Sequence, residues 1–422
     1  MTDTGTSTHH CEGIDAAGLP ASQAAAGLVA EDVGNVTRAA RRRAVRLGIA
    51  FVTVALLWGV GLHPLEAQAV DRVRAEVRRT IGDLDGPVAL TAVVDLVVVG
   101  ERLYASQPIE RRIRVLALDG RPMGSIGSGG EGPGEFRRID FLGYADSTLL
   151  VMDLGLRRET RFALDGSVAG TRRVPNVPSK PPVSFIAPIF PAVQSRTVVY
   201  GTVPITIPAG EFPFARGVII DESGTLLDTV PSVRSGDRAV IVNSGKRNFT
   251  FTRPIHDAAI YAMSSNGRYL AVADREGEQV VVRRYDTGSL EVTTFGTGLR
   301  DVRVPEPVAD SVESELVERT FRSRPELGRR AIQRAMAIPR VVMGANHVTV
   351  LPSGEMWLRR PDFGPGPDTW LALSSDGSKR VEVQVPDGVR VMARDGAFLW
   401  GTLFDALGVS YIVQMEARLP WS

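Results

Sequence analysis

The chain has 422 residues, 44% of them apolar and 23% charged, with a formal net charge of +1. That composition supports a large folded core and excludes a disordered chain, and the near-zero charge excludes the basic footprint of a nucleic-acid binder. A single cysteine, Cys11, excludes a disulfide framework and a cysteine-based zinc site.

The first 69 residues read as a polar segment followed by an export signal. Arg41, Arg42, Arg43 and Arg46 precede an apolar run over 47–62, and Ala67-Gln68-Ala69 follows. A basic region, a short apolar stretch and A-x-A are the three parts of a secretory signal. The run is short for a spanning helix, which needs about 20 residues. Cleavage after Ala69 is therefore expected, with the domain over 70–422 periplasmic or secreted. The polar residues ahead of the basic cluster are unusual for a signal and keep two other readings open. Translation starts near Val36 or Val45, or residues 47–62 stay uncleaved and anchor the domain outside the membrane. On the cleavage reading Cys11 leaves with the signal, and the redox state of the compartment is immaterial.

From about Val88 onward, short runs rich in Val, Ile, Leu and Tyr alternate with turns of Asp, Gly, Ser and Asn. The runs repeat as a unit. Residues 102–105 and 112–118 lead to Asp119-Gly120; 149–153 and 160–164 lead to Asp165-Gly166; 269–274 and 280–285 lead to Asp286-Thr287-Gly288. Residues 355–358 and 369–373 lead to Asp376-Gly377, and a weaker copy runs through 198–200 and 218–220 to 221–224. Asp-Gly suits a hairpin whose backbone needs positive φ. A four-stranded unit of this length is a propeller blade.

Blades are expected at 88–127, 137–175, 183–232, 255–296, 341–385 and 388–418. The last has room for three strands, and Val77, Arg78, Arg79, Thr80 and Ile81 can supply the fourth. Closing the ring with strands from both ends of the chain removes an exposed edge. Residues 306–338 contain no strand pattern. Asp310 or Ser311 can cap a helix carrying Val312, Leu316, Val317 and Phe321, and Pro325 can open a second with Leu327, Ala331, Ile332, Ala335 and Met336. The fold class is thus all-β: a six-bladed β-propeller of four-stranded blades, closed by an N-terminal strand, with a helical hairpin between blades 4 and 5. An amphipathic hairpin of this kind is read as a buttress on apolar blade surface, with a lid or a partner-docking element as the alternative.

Between the first two blades, Gly127-x-Gly129-x-x-Gly132 matches the spacing of a dinucleotide loop, but Pro133-Gly134 follows and no helix opens there. The stretch Gly132, Pro133, Gly134, Glu135, Phe136 is read as a tight inter-blade turn, with Glu135 pairing locally and Phe136 packing between blades. A backbone anion nest is the alternative. This stretch resembles the G-x-G-P-G-E-F signature of exported bacterial six-bladed β-propeller proteins related to NHL-repeat proteins, and 112–120 and 160–166 resemble the repeat core. The resemblance covers about 75–170 and is loose beyond. It implies the fold and says little of activity, since most such proteins have no assigned function. NHL enzymes of the peptide-amidating lyase type hold zinc and calcium with several histidines. Here the body contains only His256 and His347. That is short of a three-histidine site, though a mixed His/carboxylate site stays open.

Asp153 and Asp274 each follow the second strand of their blade, and Ser106, 359–362 and Asp405 hold comparable places. A polar ring around one channel mouth is the default ligand site of a concave fold. Each Asp is alternatively a cap on its own turn. His256 and His347 precede or begin inner strands and can line the channel. No H-E-x-x-H, G-x-S-x-G, Walker or EF-hand motif occurs. The candidate binding residues are therefore Asp153, Asp274, Arg359, Asp362, Asp405, His256 and His347, with no catalytic residue, metal site or cofactor assigned. The expected function is an extracytoplasmic module that binds a small molecule, peptide or protein. The alternative is a hydrolase or lyase with a divalent metal at the channel mouth. Nearly every basic residue is arginine, the lysines being Lys180, Lys246 and Lys379. That bias is read as codon usage, with an arginine-built anion site as the alternative.

Overall fold

The computed structural model describes residues 71–83, 88–174, 189–202, 214–234, 239–244, 247–405 and 409–421. The expected signal or anchor over 1–69 lies outside them. Among the described residues, no helix is long and apolar enough to cross a membrane.

The repeating runs fold into six antiparallel blades. Blade I comprises Leu96–Val99, Arg102–Gln107, Arg112–Ala117 and Pro122–Ile126, and blade II Phe141–Ala145, Thr148–Asp153, Arg158–Phe162 and Val168–Arg173. Blade III comprises Ile189–Pro191, Thr197–Thr202, Phe214–Ile220 and Leu226–Arg234, and blade IV Ile260–Met263, Tyr269–Glu276, Gln279–Asp286 and Glu291–Arg300. Blade V is built from His347–Val350, Met356–Arg359, Asp368–Leu373 and Arg380–Val385, and blade VI from Arg390–Asp395, Phe398–Phe404 and Ser410–Glu416.

Burial follows radial position. Second strands are covered on both faces by neighbouring blades, so Arg102–Gln107 and Thr148–Asp153 are buried beyond their first residue. Fourth strands lie at the rim, and Val168–Arg173 is mostly exposed. The cores lie between blades. Tyr104, Phe136, Leu149 and Phe162 fill the I–II interface, and Trp357, Trp370, Val383 and Met415 fill V–VI. Each Asp-Gly turn uses the expected chemistry. Asp119 Oδ1 accepts the Arg121 N–H at 2.9 Å, while Gly120 takes φ 92°.

The N-terminal part of the domain ties the ring together twice. Glu76–Ile81 pairs antiparallel with Ser410–Glu416 as the fourth strand of blade VI, with Ile81 opposite Ile412. Asp71–Arg74 adds a fifth strand to blade V, parallel to Arg380–Val385. The sequence gives no sign of this second strand, because its exposed DRVR carries no apolar alternation.

Two insertions interrupt the ring. A hairpin, Ala239–Ser244 with Arg247–Thr252, separates blades III and IV. Between blades IV and V, Val302–Arg303 pairs with Val341–Val342 at the base of a helical segment. Helix α1 spans Glu306–Ser323, a 3-10 turn spans Pro325–Leu327, and helix α2 spans Arg329–Ala335. The expected Asp310/Ser311 cap is corrected here. Helix α1 begins earlier because a proline in its first turn needs no N–H partner, and its N-cap, Pro305, makes no side-chain bond. Pro325 likewise opens the 3-10 turn, and α2 follows Gly328. Ala309 and Leu316 of α1 pack with Val304, Ile338 and Val342, against Ile255 and Phe363.

Candidate functional site

Antiparallel pairing puts the start of every inner strand and the end of every second strand on one face of the ring. All seven candidate residues therefore lie on that face, but the structure divides them into two groups.

The four aspartates are spent on the fold. Buried Asp153 accepts the Arg137 and Arg138 N–H groups through Oδ2, at 2.8 and 3.2 Å, and the Leu156 N–H through Oδ1 at 2.9 Å. Asp274 clamps blades III and IV: its Oδ1 receives Arg234 Nε at 3.0 Å and Nη2 at 2.8 Å. Asp257 extends this clamp, pairing with Arg234 and Arg275 and accepting the Met343 N–H at 3.1 Å. Asp362 is an exposed turn former that accepts the Gly364 N–H at 3.0 Å. Asp405 holds its loop through the Val409 N–H at 2.9 Å and the Tyr411 hydroxyl at 3.3 Å. They are separate turn and clamp residues and do not converge as a ligand ring.

The glycine-rich turn is also internally satisfied. Glu135 Oε2 accepts the Gly132 N–H at 2.7 Å, so the chain's own carboxylate occupies the place of a bound anion. Phe136 is fully buried against Phe162, with ring centroids 5.8 Å apart. Gly127 has φ 80°, and a Cβ there would sit 2.1 Å from the Phe136 ring.

His256, His347 and Arg359, by contrast, line one cleft of about 200 Å³. Arg390, the first residue of blade VI's inner strand, completes it. Pro254, Ile255, Met343, Pro361 and Phe363 supply the rest of the wall, with Asn346 at its polar side. Arg390 also lines a cavity of about 80 Å³ in the channel, together with Asp95, Leu142, Thr349 and Met392. It thus stands between cleft and channel.

Arg390 Nε donates to His347 Nε2 at 3.0 Å. That atom must present its lone pair, which assigns the ring proton to Nδ1. Burial, together with the Arg390 and Arg359 charges, holds the His347 pKa at about 3, so the imidazole is neutral at physiological pH. The ring stands edge-on to Trp370, with centroids 5.6 Å apart. Arg359 Nη2 donates to Asp368 Oδ1 at 2.9 Å, and Asp368 Oδ2 accepts the Gly388 N–H at 3.0 Å. Asp368 therefore fixes Arg359 to the wall. Behind Arg390, burial raises the Asp95 pKa to about 6 against the opposing pull of Arg390 and the Leu142 N–H, which donates to Oδ2 at 3.1 Å.

These donors do not fit a divalent cation. The cleft combines two histidines with two guanidiniums, and among the described residues no group of three or more His, Cys, Asp or Glu is placed to hold a metal. The field in the cleft is positive.

Sequence reasoning missed Arg390, Asp368 and Asp95, although one signal was available. The six inner strands begin with Leu96, Phe141, Ile189, Ile260, His347 and Arg390, and only the last two are polar.

No family model and no curated protein matches the chain. Solved structures do. A member of the DUF4221 family from Bacteroides vulgatus is 9% identical, covering 82% of this chain and 98% of its own at a TM-score of 0.42. Streptogramin B lyase is 11% identical over 81% and 98% of the two chains, TM-score 0.36. The calcium-binding protein regucalcin from Agrobacterium tumefaciens is 10% identical over 83% and 97%, TM-score 0.35. Identities this low speak only of fold.

Proposed function

We propose that this chain is an extracytoplasmic ligand-binding propeller whose site is the cleft at the channel mouth. One observation carries the reading. His256, His347, Arg359 and Arg390, from three separate parts of the ring, meet in one concavity, whereas every aspartate of the suspected polar ring is consumed by a turn or clamp. Such a concavity, part apolar and part polar, is the usual form of a small-molecule site. The basic cluster, the apolar run over 47–62 and Ala67-Gln68-Ala69 support a location outside the cytoplasm.

A thermal-shift screen of neutral, anionic and cationic small molecules tests the site. At least one class should raise the unfolding midpoint of the protein. Asn346→Trp, which places bulk in the cleft from an exposed position, should abolish that shift. Asp362→Ala, which alters only an exposed turn, should keep it. Ligand shifts untouched by Asn346→Trp would move the site elsewhere.

A further inference from the structure

Resting on the cleft reading, we infer that the group recognised there is a carboxylate, gripped end-on by the guanidinium of Arg390, with the ligand's apolar body against Phe363, Ile255 and Met343.

The argument begins with partners. Around this face three neighbouring arginines meet carboxylates, Arg234 with Asp274 at 2.8 Å, Arg275 with Asp301 at 3.0 Å and Arg359 with Asp368 at 2.9 Å, while Arg158 is taken up by the backbone carbonyls of Glu131, Gly132 and Glu135. Arg390 is different. Among the described residues it has no acidic partner within 4.0 Å, and its one hydrogen bond goes from Nε to a neutral imidazole. Burial works against its charge, and Asp95 is the one acidic group that offsets this. Arg390 is exposed at the cleft, so its guanidinium is open to an anion from solvent and no acidic side chain of the fold is in contact with it.

The imidazole also sets orientation. With Nε–H committed to His347, the two Nη groups remain as a planar fork, which matches the two oxygens of a carboxylate. Arg359 adds a second positive charge on the same wall, and its buried Nε has no hydrogen-bond partner.

The backbone favours a carboxylate over a phosphate. Phosphate sites draw on convergent backbone N–H groups. Here Pro254 and Pro361 have none to give, the Met343 N–H is spent on Asp257, and the Asn346 N–H is spent on the Arg359 carbonyl. The volume of about 200 Å³ admits a small acid.

The test titrates the purified protein with benzoate and hexanoate, their amides, and inorganic phosphate, by calorimetry and thermal shift. The carboxylates should bind, and each amide should bind at least about tenfold more weakly. Arg390→Gln should weaken carboxylate binding by about tenfold or more. Arg390→Lys should do nearly the same, because a point charge does not replace a fork. Unfolding midpoints without ligand establish that the variants fold, and if Arg390→Gln does not, Arg390→Lys decides. Amides that bind as well as acids, phosphate that binds more tightly than either acid, or carboxylate binding that survives both substitutions would overturn the inference. So would a panel in which neither carboxylate binds. In each of these cases the cleft reading still stands if some screened ligand is lost in Asn346→Trp, and it falls only if none is.

Discussion

Asp95→Asn isolates the charge behind Arg390. Asp95 precedes the inner strand of blade I, and its main chain is fixed by Ser106: Asp95 N–H donates to Ser106 Oγ at 2.8 Å, and Ser106 N–H donates to the Asp95 carbonyl at 2.9 Å. The amide oxygen of the variant can still accept the Leu142 N–H, so the substitution removes charge and little else. In the folded protein the carboxyl pKa rises from 3.8 to about 6. The folded state therefore holds the proton more tightly than the unfolded chain, and stability falls as pH rises between about 4 and 6. That displacement corresponds to about 3 kcal/mol. Asp95 keeps some accessible surface on the channel, so water screens part of this, and about 1–2 kcal/mol is the expected gain of the variant at pH 7.5. Urea unfolding at a series of pH values from 4 to 8 reads it. The variant should have the higher midpoint at neutral pH, with the difference vanishing toward pH 4. A variant less stable than the wild type at pH 7.5 would show that attraction to Arg390 outweighs burial, and the reasoning would fail.

The same group sets a pH dependence of binding. His347 stays neutral through the accessible range, while Asp140 lies beside Asp95 and supports its proton. Protonating Asp95 below about pH 6 should strengthen binding of an ionised carboxylate a few-fold, and calorimetry on Asp95→Asn should show that dependence gone. Ring closure depends on Ile81, which is 4% exposed, so Ile81→Ala should cost about 2–5 kcal/mol, whereas Val77→Ala on the same strand, at 49% exposure, should be nearly silent in urea unfolding. Asp153→Ala leaves three backbone N–H groups without their acceptor and should destabilise by about 1–3 kcal/mol, leaving the affinity of any cleft ligand unchanged by calorimetry.

How much was legible in the sequence follows from what each feature depends on. The blades were legible because a buried second strand such as 149–152 and an Asp-Gly turn such as Asp165-Gly166 are local signals. The strand over 71–74 was not, since a rim strand buries too little to leave a pattern. The hairpin over 239–252 was passed over because it joins no blade. The aspartates could be placed on a face by their position after a strand. Their full employment could not be read, because Arg137 and Arg138 lie 15 to 16 residues from Asp153, and Arg234 lies 40 from Asp274. Two of the three useful candidates, His347 and Arg359, matter for what they adjoin, and Arg390 becomes visible only when the inner strands are aligned by their first residues.

The arginine bias has a structural use that the codon-usage reading leaves out. Arginines donate across successive blade interfaces to backbone carbonyls. Arg102 of blade I reaches Leu164 at 3.2 Å, Arg172 of blade II reaches Ser195 at 2.6 Å, Arg196 of blade III reaches Gly288 at 3.0 Å and Arg284 of blade IV reaches Gly354 at 2.7 Å. Lys379 Nζ reaches Pro420 at 3.3 Å from blade V, and Arg79 of blade VI reaches Leu118 at 2.8 Å, which closes the belt. A guanidinium holds its donors in a fixed plane and lies flat on aromatic rings, which a flexible ammonium does not reproduce. Arg284 uses both: Nη1 also donates to the Ser375 carbonyl, and its guanidinium carbon sits 4.9 Å from the ring centroids of Tyr269 and Phe295. Arg284→Lys should therefore cost about 1–2 kcal/mol in urea unfolding although the charge is kept. Arg268→Lys, an exposed partner of Asp286, should cost less than half as much. Equal losses at the two sites would mean that charge alone matters in the belt, and the contrast drawn between its committed forks and the free fork of Arg390 would lose its basis.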